Sequence, residues 1–127
     1  MENMWQWISQ HPDELSEAFI MQHEDDLDWR LLSENYNFSI YMLRVYQHRV
    51  NWACVLKRTE FPESFLREMA PHFNGCWSVV SKYQYLSERF IHRYATKVDW
   101  YYITRYQNVS KRFLEKHAYF VDLDTVD

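Results

Sequence analysis

The side chains able to titrate, ligate a metal or attack a substrate include six histidines, two cysteines and eighteen carboxylates. A zinc site needs ligands at short, fixed spacing, and the chain has neither His-Glu-x-x-His nor closely paired cysteines. His23-Glu24-Asp25-Asp26 is a run that could attract a cation, but a solvated acidic loop accounts for it better. Cys54 and Cys76 read as free thiols of a cytoplasmic chain. A cysteine nucleophile needs a base and an oxyanion site beside it, and nothing marks either. A single glycine excludes a glycine-rich phosphate loop. The chemistry expected is recognition, with no catalytic residue, metal or cofactor.

Composition limits the elements that could present such a surface. Aromatic residues make up 19% of the 127 positions, with 6 Trp, 10 Tyr and 8 Phe against 1 Gly and 3 Pro. A disordered chain lacks the bulky groups that offset ordering entropy. An all-β sandwich needs a tight turn every ten residues or so, which this supply of Gly and Pro does not furnish. No apolar run is long enough to span a membrane, and Met1–Trp7 is neither basic nor long enough for a secretory leader.

Five tryptophans, Trp5, Trp29, Trp52, Trp77 and Trp100, follow one another at gaps of 24, 23, 25 and 23 residues. A period of this size marks a repeat architecture. The register gives an N-terminal half-repeat, 1–14, then repeats 15–37, 38–60, 61–85 and 86–108, and a truncated repeat, 109–127, all within one domain. Other columns agree: Leu15, Phe38, Phe61, Leu86 and Val109 open the repeats, and Ser16, Ser39, Pro62, Ser87 and Ser110 follow them.

Each repeat reads as two short helices of roughly 8–10 residues, marginal alone and stable only when stacked. The serines are N-caps of the first helix, with hydrophobic staples such as Leu86 to Ile91. Asp28, Asn51 and Asp99 cap the second helix, and capping explains the aspartate column (with Asp122) better than paired catalytic carboxylates do. The expected fold is all-α, an α-solenoid of about five helical hairpins. Trp29, Trp52, Trp77 and Trp100 are assigned to the core. His23 and His117 share a column with Tyr46, Met69 and Tyr94, which reads as a packing position. Tyr41 and Tyr101 are expected to face solvent. The third repeat carries two extra residues within Ala70–Cys76, which makes His72 and Phe73 candidates for a partner contact.

The fourth repeat, Leu86-Ser-Glu-Arg-Phe-Ile, then Val98-Asp-Trp, then Ile103-Thr-Arg-Tyr-Gln107, resembles a short helical repeat of large DNA viruses and bacteriophages. Pro62 in place of the capping serine and Leu123 in place of Trp are departures. The resemblance implies a viral setting and a binding role.

Charge is polarised: 1–36 carries a net −8, 37–60 a net +3, 86–116 a net +4 and 117–127 a net −3, within a total of −4. Three uses follow. The first is a protein-interaction module inhibiting a host or viral complex (an anti-defence role of the anti-CRISPR kind) through acidic Asp13, Glu14, Glu17, Glu24, Asp25 and Asp26. The second is self-assembly into a homo-oligomer through an open C-terminal end. The third is weak nucleic-acid binding through basic ladders: Lys57, Lys82 and Arg105 on second helices, and Arg44, Arg67 and His92 on first helices. Trp100→Ala is predicted to cost about 3–5 kcal/mol, the loss expected of a large buried aromatic. An unchanged melting temperature would place the column on the surface.

Overall fold

The computed structural model describes residues 3–121. Among these it has ten α-helices, a 3-10 turn and no strand. The helices are α1 (Met4–Gln10), α2 (Glu17–Gln22), α3 (Trp29–Asn35), α4 (Ile40–Val45), α5 (Trp52–Arg58), α6 (Glu63–Met69), α7 (Trp77–Tyr83), α8 (Glu88–Arg93), α9 (Trp100–Tyr106) and α10 (Lys111–Lys116); the 3-10 turn is Ala70–His72. At six or seven residues they are shorter than the sequence suggests. The caps close them early: the β-region N-cap leaves the first turn late, and the last amide already bonds back at the C-cap.

The chain divides into two compact units, Met1–Val55 and Leu56–Asp127. In the first, α3 lies against α1; in the second, α9 lies against α7. Ser16, Ser39, Ser87 and Ser110 each accept from the amide three residues on. Pro62 stands at its N-cap without a side-chain bond. The staple positions Ile20, Leu43, Leu66 and Ile91 are fully buried.

A polar chain also runs between repeats. In each of three second helices a buried serine donates to the carbonyl of its own tryptophan: Ser9 to Trp5, Ser33 to Trp29 and Ser81 to Trp77, all at 2.7 Å. The same hydroxyl accepts the N-cap amide of the next second helix, from Asp28, Asn51 and Asp99, all at 2.9 Å. Each hydroxyl is thereby satisfied twice, which is what makes a buried polar atom tolerable. Leu56 holds this position in the second repeat and cannot relay; the Cys76 amide turns to Phe73 O instead, at 2.9 Å. Thr104 holds it in the fourth, and Asp122 lies outside the described residues.

Glutamine clamps the junctions of the second unit. Gln84 is 2% exposed; its carboxamide accepts from the Phe61 amide at 3.0 Å and donates to Leu56 O at 2.6 Å and Thr59 O at 2.8 Å. Gln107 repeats the arrangement one repeat on, accepting from the Leu86 amide and donating to Ser81 O and Gln84 O. On the first helices, carboxylates reach the next capping serine: Glu17 accepts from Ser39 Oγ at 2.7 Å, Glu63 from the amide and hydroxyl of Ser87, and Glu88 from the Ser110 amide at 2.7 Å.

Trp52, Trp77 and Trp100 are buried, and Trp29 is half-buried, with the Phe38 ring stacked on it and the Arg49 guanidinium 5.6 Å from its ring centroid. The His/Tyr column packs on the preceding tryptophan: His23 on Trp5, Tyr46 on Trp29, Tyr94 on Trp77 and His117 on Trp100, at centroid distances of 4.6–5.5 Å.

Gln84→Leu is predicted to cost about 1–3 kcal/mol for each backbone group it leaves without a partner. Gln107→Leu, less buried, should cost less. Urea titrations of both variants test this; equal or negligible losses would mean that water replaces the carboxamide.

Candidate interaction surfaces

Four of the six acidic candidates already hold parts of the first unit together. Glu17 binds Ser39, and Glu24 accepts from the Tyr46 hydroxyl at 2.6 Å. Asp25 pairs with Arg49 at 2.8 Å, and Asp26 lies 3.4 Å from His23 Nδ1. Asp13 and Glu14 are exposed on the loop before α2. The acidic run is thus largely a set of acceptors for other residues of the first unit. Burial of its phenol, followed by the hydrogen bond and charge of Glu24, pushes the Tyr46 pKa up to about 12.

The second unit presents the opposite sign. Lys57, Lys82 and Arg105 each stand against tyrosine. Lys82 Nζ lies 5.2 Å from the Tyr83 ring centroid, 5.5 Å from Tyr102 and 5.4 Å from Tyr106, while Lys57 Nζ lies 5.9 Å from Tyr83. Tyr83 and Tyr106 hold the Lys82 ammonium above its usual range. The Arg105 guanidinium covers Tyr101 at 3.7 Å, one helical turn back. Tyr83, Tyr101 and Tyr106 remain exposed, so the face is cationic and aromatic together. A hollow of about 220 Å³ between Lys57, Ser78, Lys82, Tyr83 and Tyr102 opens on it. Spacing alone found the cations, all five residues after a Trp, and Tyr101; Tyr83, Tyr102 and Tyr106, two or six residues after a Trp, carry no such signal.

Arg44 lies exposed on α4 of the first unit and Arg67 exposed on α6 of the second. His92 is drawn out of the proposed first-helix ladder by His117: His92 Nδ1 and His117 Nε2 stand 2.8 Å apart. His117 Nδ1 lies 2.8 Å from Phe113 O, which can only accept, so this nitrogen carries a proton. When His117 is neutral its Nε2 accepts from His92. The pair is a structural tie between α8 and α10.

Tyr41 and Tyr101 are exposed, at 58% and 55%. Phe73 corrects the expectation: it is 0% exposed, turned inward by the 3-10 turn so that its ring meets Trp77 edge-on at 5.5 Å. His72 is half-buried. Gly75, at φ 86°, supplies the left-handed residue by which the insertion returns to α7. Beside this insertion Arg67, Pro71, Asn74, Trp77, Tyr94 and Lys97 line a larger hollow, of about 420 Å³. Cys54 and Cys76 are free thiols, and burial pushes the Cys76 thiol up. No group of three His, Cys, Asp or Glu among the described residues is placed to hold a metal ion, and no helix among them is long and apolar enough to cross a membrane.

No family model matches the chain, and neither a curated protein nor a solved structure does.

The Tyr46–Glu24 bond sets a pH dependence. With the folded pKa raised from 10.0 to about 12, its stabilisation is full below pH 10 and is lost as pH rises through that window. Tyr46→Phe should remove this part of the alkaline decline, measured as urea midpoints at about pH 8 and about pH 11. An identical decline in the variant would assign it to other groups.

Proposed function

We propose that the chain is a non-enzymatic protein-interaction module whose hairpins stack as an α-solenoid of about five repeats. The serine, glutamine and glutamate links support the solenoid reading, since each joins one repeat to the next at equivalent positions. The lysine–tyrosine face of α7 and α9 is the contact surface. Exposed tyrosine beside cations is the composition of interface hot spots: large, stiff contact area with a polar tip. Cations held over their rings are ordered before a partner arrives, which lowers the entropy cost of binding.

The observation that carries this reading over nucleic-acid binding is the Arg105 guanidinium 3.7 Å from the Tyr101 centroid. A ring face covered by the protein's own cation is not offered to a base, and stacking is what a single strand needs. A net charge of −4 further opposes a polyanion. The acidic N-terminal residues then act at longer range, orienting the partner by their field. The resemblance of the repeat supports a narrower reading, a viral or phage protein inhibiting a host complex. Self-assembly through the C-terminal end rests on residues outside the described ones.

Two measurements test the proposal. Labelled single- and double-stranded nucleic acid should not bind below micromolar concentration at about 0.15 M salt. Submicromolar binding with a steep salt slope would replace the protein reading. Cross-linking in a host lysate should then give a discrete adduct that Tyr101→Ala/Tyr106→Ala loses while its melting curve is unchanged. An adduct indifferent to these substitutions would move the interface elsewhere.

A further inference from the structure

The two units carry the same site in two states, one filled and one open. In the regular repeats the indole N–H of each second-helix tryptophan donates to the carbonyl five residues before it: Trp29 to Glu24 O, Trp52 to Gln47 O and Trp100 to Ala95 O, at 2.8–3.0 Å. Around Trp29 the surrounding groups are satisfied as well. The Tyr46 hydroxyl donates to the Glu24 carboxylate, and Arg49, 5.6 Å from the indole centroid, donates to Glu24 O and to Asp25.

The repeat register carries each of these positions into the second unit. Trp77 stands where Trp29 does, Tyr94 where Tyr46 does and Lys97 where Arg49 does. The acceptors do not carry over: counted from the first helix, Ala70 replaces Glu24 and Pro71 replaces Asp25. The insertion takes the backbone acceptor too, since Ala70 O receives the Phe73 amide at 3.0 Å in the 3-10 turn. Among the described residues no acceptor receives the Trp77 indole N–H, and this atom is not sealed from solvent. The result is the hollow of about 420 Å³, where Arg67 and Lys97 join the Trp77 indole, the Tyr94 phenol and the Asn74 amide, with no carboxylate in its lining.

We propose that this hollow binds an acidic peptide segment, two adjacent carboxylates taking the places that Glu24 and Asp25 fill in the first unit. The chain itself displays the complementary ligand: a Glu-Asp pair whose oxygens meet a phenol and a cation beside an indole. Arg67 adds a second cation that the filled site lacks, since Met21 stands at its position in the first repeat. A guanidinium and an ammonium facing one hollow suit a pair of carboxylates, one charge-assisted contact for each. Tryptophan and tyrosine walls exclude water and strengthen those contacts. The site is separate from the lysine–tyrosine face and stands whether or not that face binds.

Nitrogen–proton correlation spectra of the full chain provide the test, because each tryptophan gives its own indole signal and Trp77→Phe assigns this one. The probe is a peptide carrying Glu-Asp-Asp between Gly-Ser flanks, with Gln-Asn-Asn as control. The acidic peptide should move the Trp77 indole signal saturably and leave that of Trp100, which is bonded to Ala95 O, in place. Lys97→Gln and Arg67→Gln should each weaken binding at least about tenfold, the loss expected of one charge-assisted contact. Pro71→Asp, which restores an internal acid at an exposed position, should weaken it as well. All three substitutions are at the surface, and the dispersion of the same spectra reports whether they fold. An unmoved Trp77 signal, or a response equal in the control peptide or in the three variants, would overturn the proposal. Inorganic phosphate is a further arm: if it moves the Trp77 signal as tightly as the peptide does, the hollow is a general oxyanion site and the peptide assignment fails.

Discussion

A helix of six or seven residues cannot hold itself together in water, and every other feature of this chain follows from that constraint. Such a helix makes two or three internal hydrogen bonds and leaves more backbone groups open at its ends than it closes. Stability has to come from neighbours. The buried serine four residues after Trp shows how: it ties its own helix back to the tryptophan carbonyl and takes the first free amide of the next. One hydroxyl thus serves the end of one helix and the start of another. Tryptophan fills the space that the short helices leave, and its indole N–H closes on the loop behind it.

The same economy explains where surface chemistry is available. Polar groups already bonded within the fold are not free to meet a partner, and most of the acidic run belongs to that class. Groups become available where the repeat is broken. Leu56, near the end of the second repeat, interrupts the serine column, and in the third repeat Pro62 replaces the capping serine and the two-residue insertion removes the indole acceptor. Gln84 and the 3-10 turn take over the backbone bonds, but nothing takes over the acceptors lost around Trp77. Irregularity in a repeat therefore concentrates donors in one place.

Much of the local structure was legible in the residues because capping and packing are short-range. Ser16 or Ser87 before an apolar stripe can do little else than cap, and the structure has them doing so. Asp28 and Asp99 likewise cap their helices. Phe73 was misread because its side chain follows the insertion's turn, and a 3-10 turn leaves no periodic signature in three residues. The pairing of Lys82 with three tyrosines was missed for a related reason: Tyr83 is adjacent in sequence, but Tyr102 and Tyr106 arrive only when α9 lies against α7.

By itself, the sequence determined that the chain is helical and where its serine- and aspartate-capped helices start, since capping is set by interactions within about five residues. It also held the signal for the glutamine clamp in its Tyr-Gln pairs, though spacing could not say what the carboxamide would reach. Only the tertiary structure decided which polar side chains are spent and which are left over. That depends on bonds spanning eighteen to twenty-eight positions, such as Asp99 to Ser81 and Gln84 to Leu56, whose geometry no local pattern encodes. The surroundings of Trp29 and Trp77 part because Ala70 and Pro71 stand where Glu24 and Asp25 do and the insertion redirects the backbone, so the longer contacts that close around Trp29 have no counterpart at Trp77.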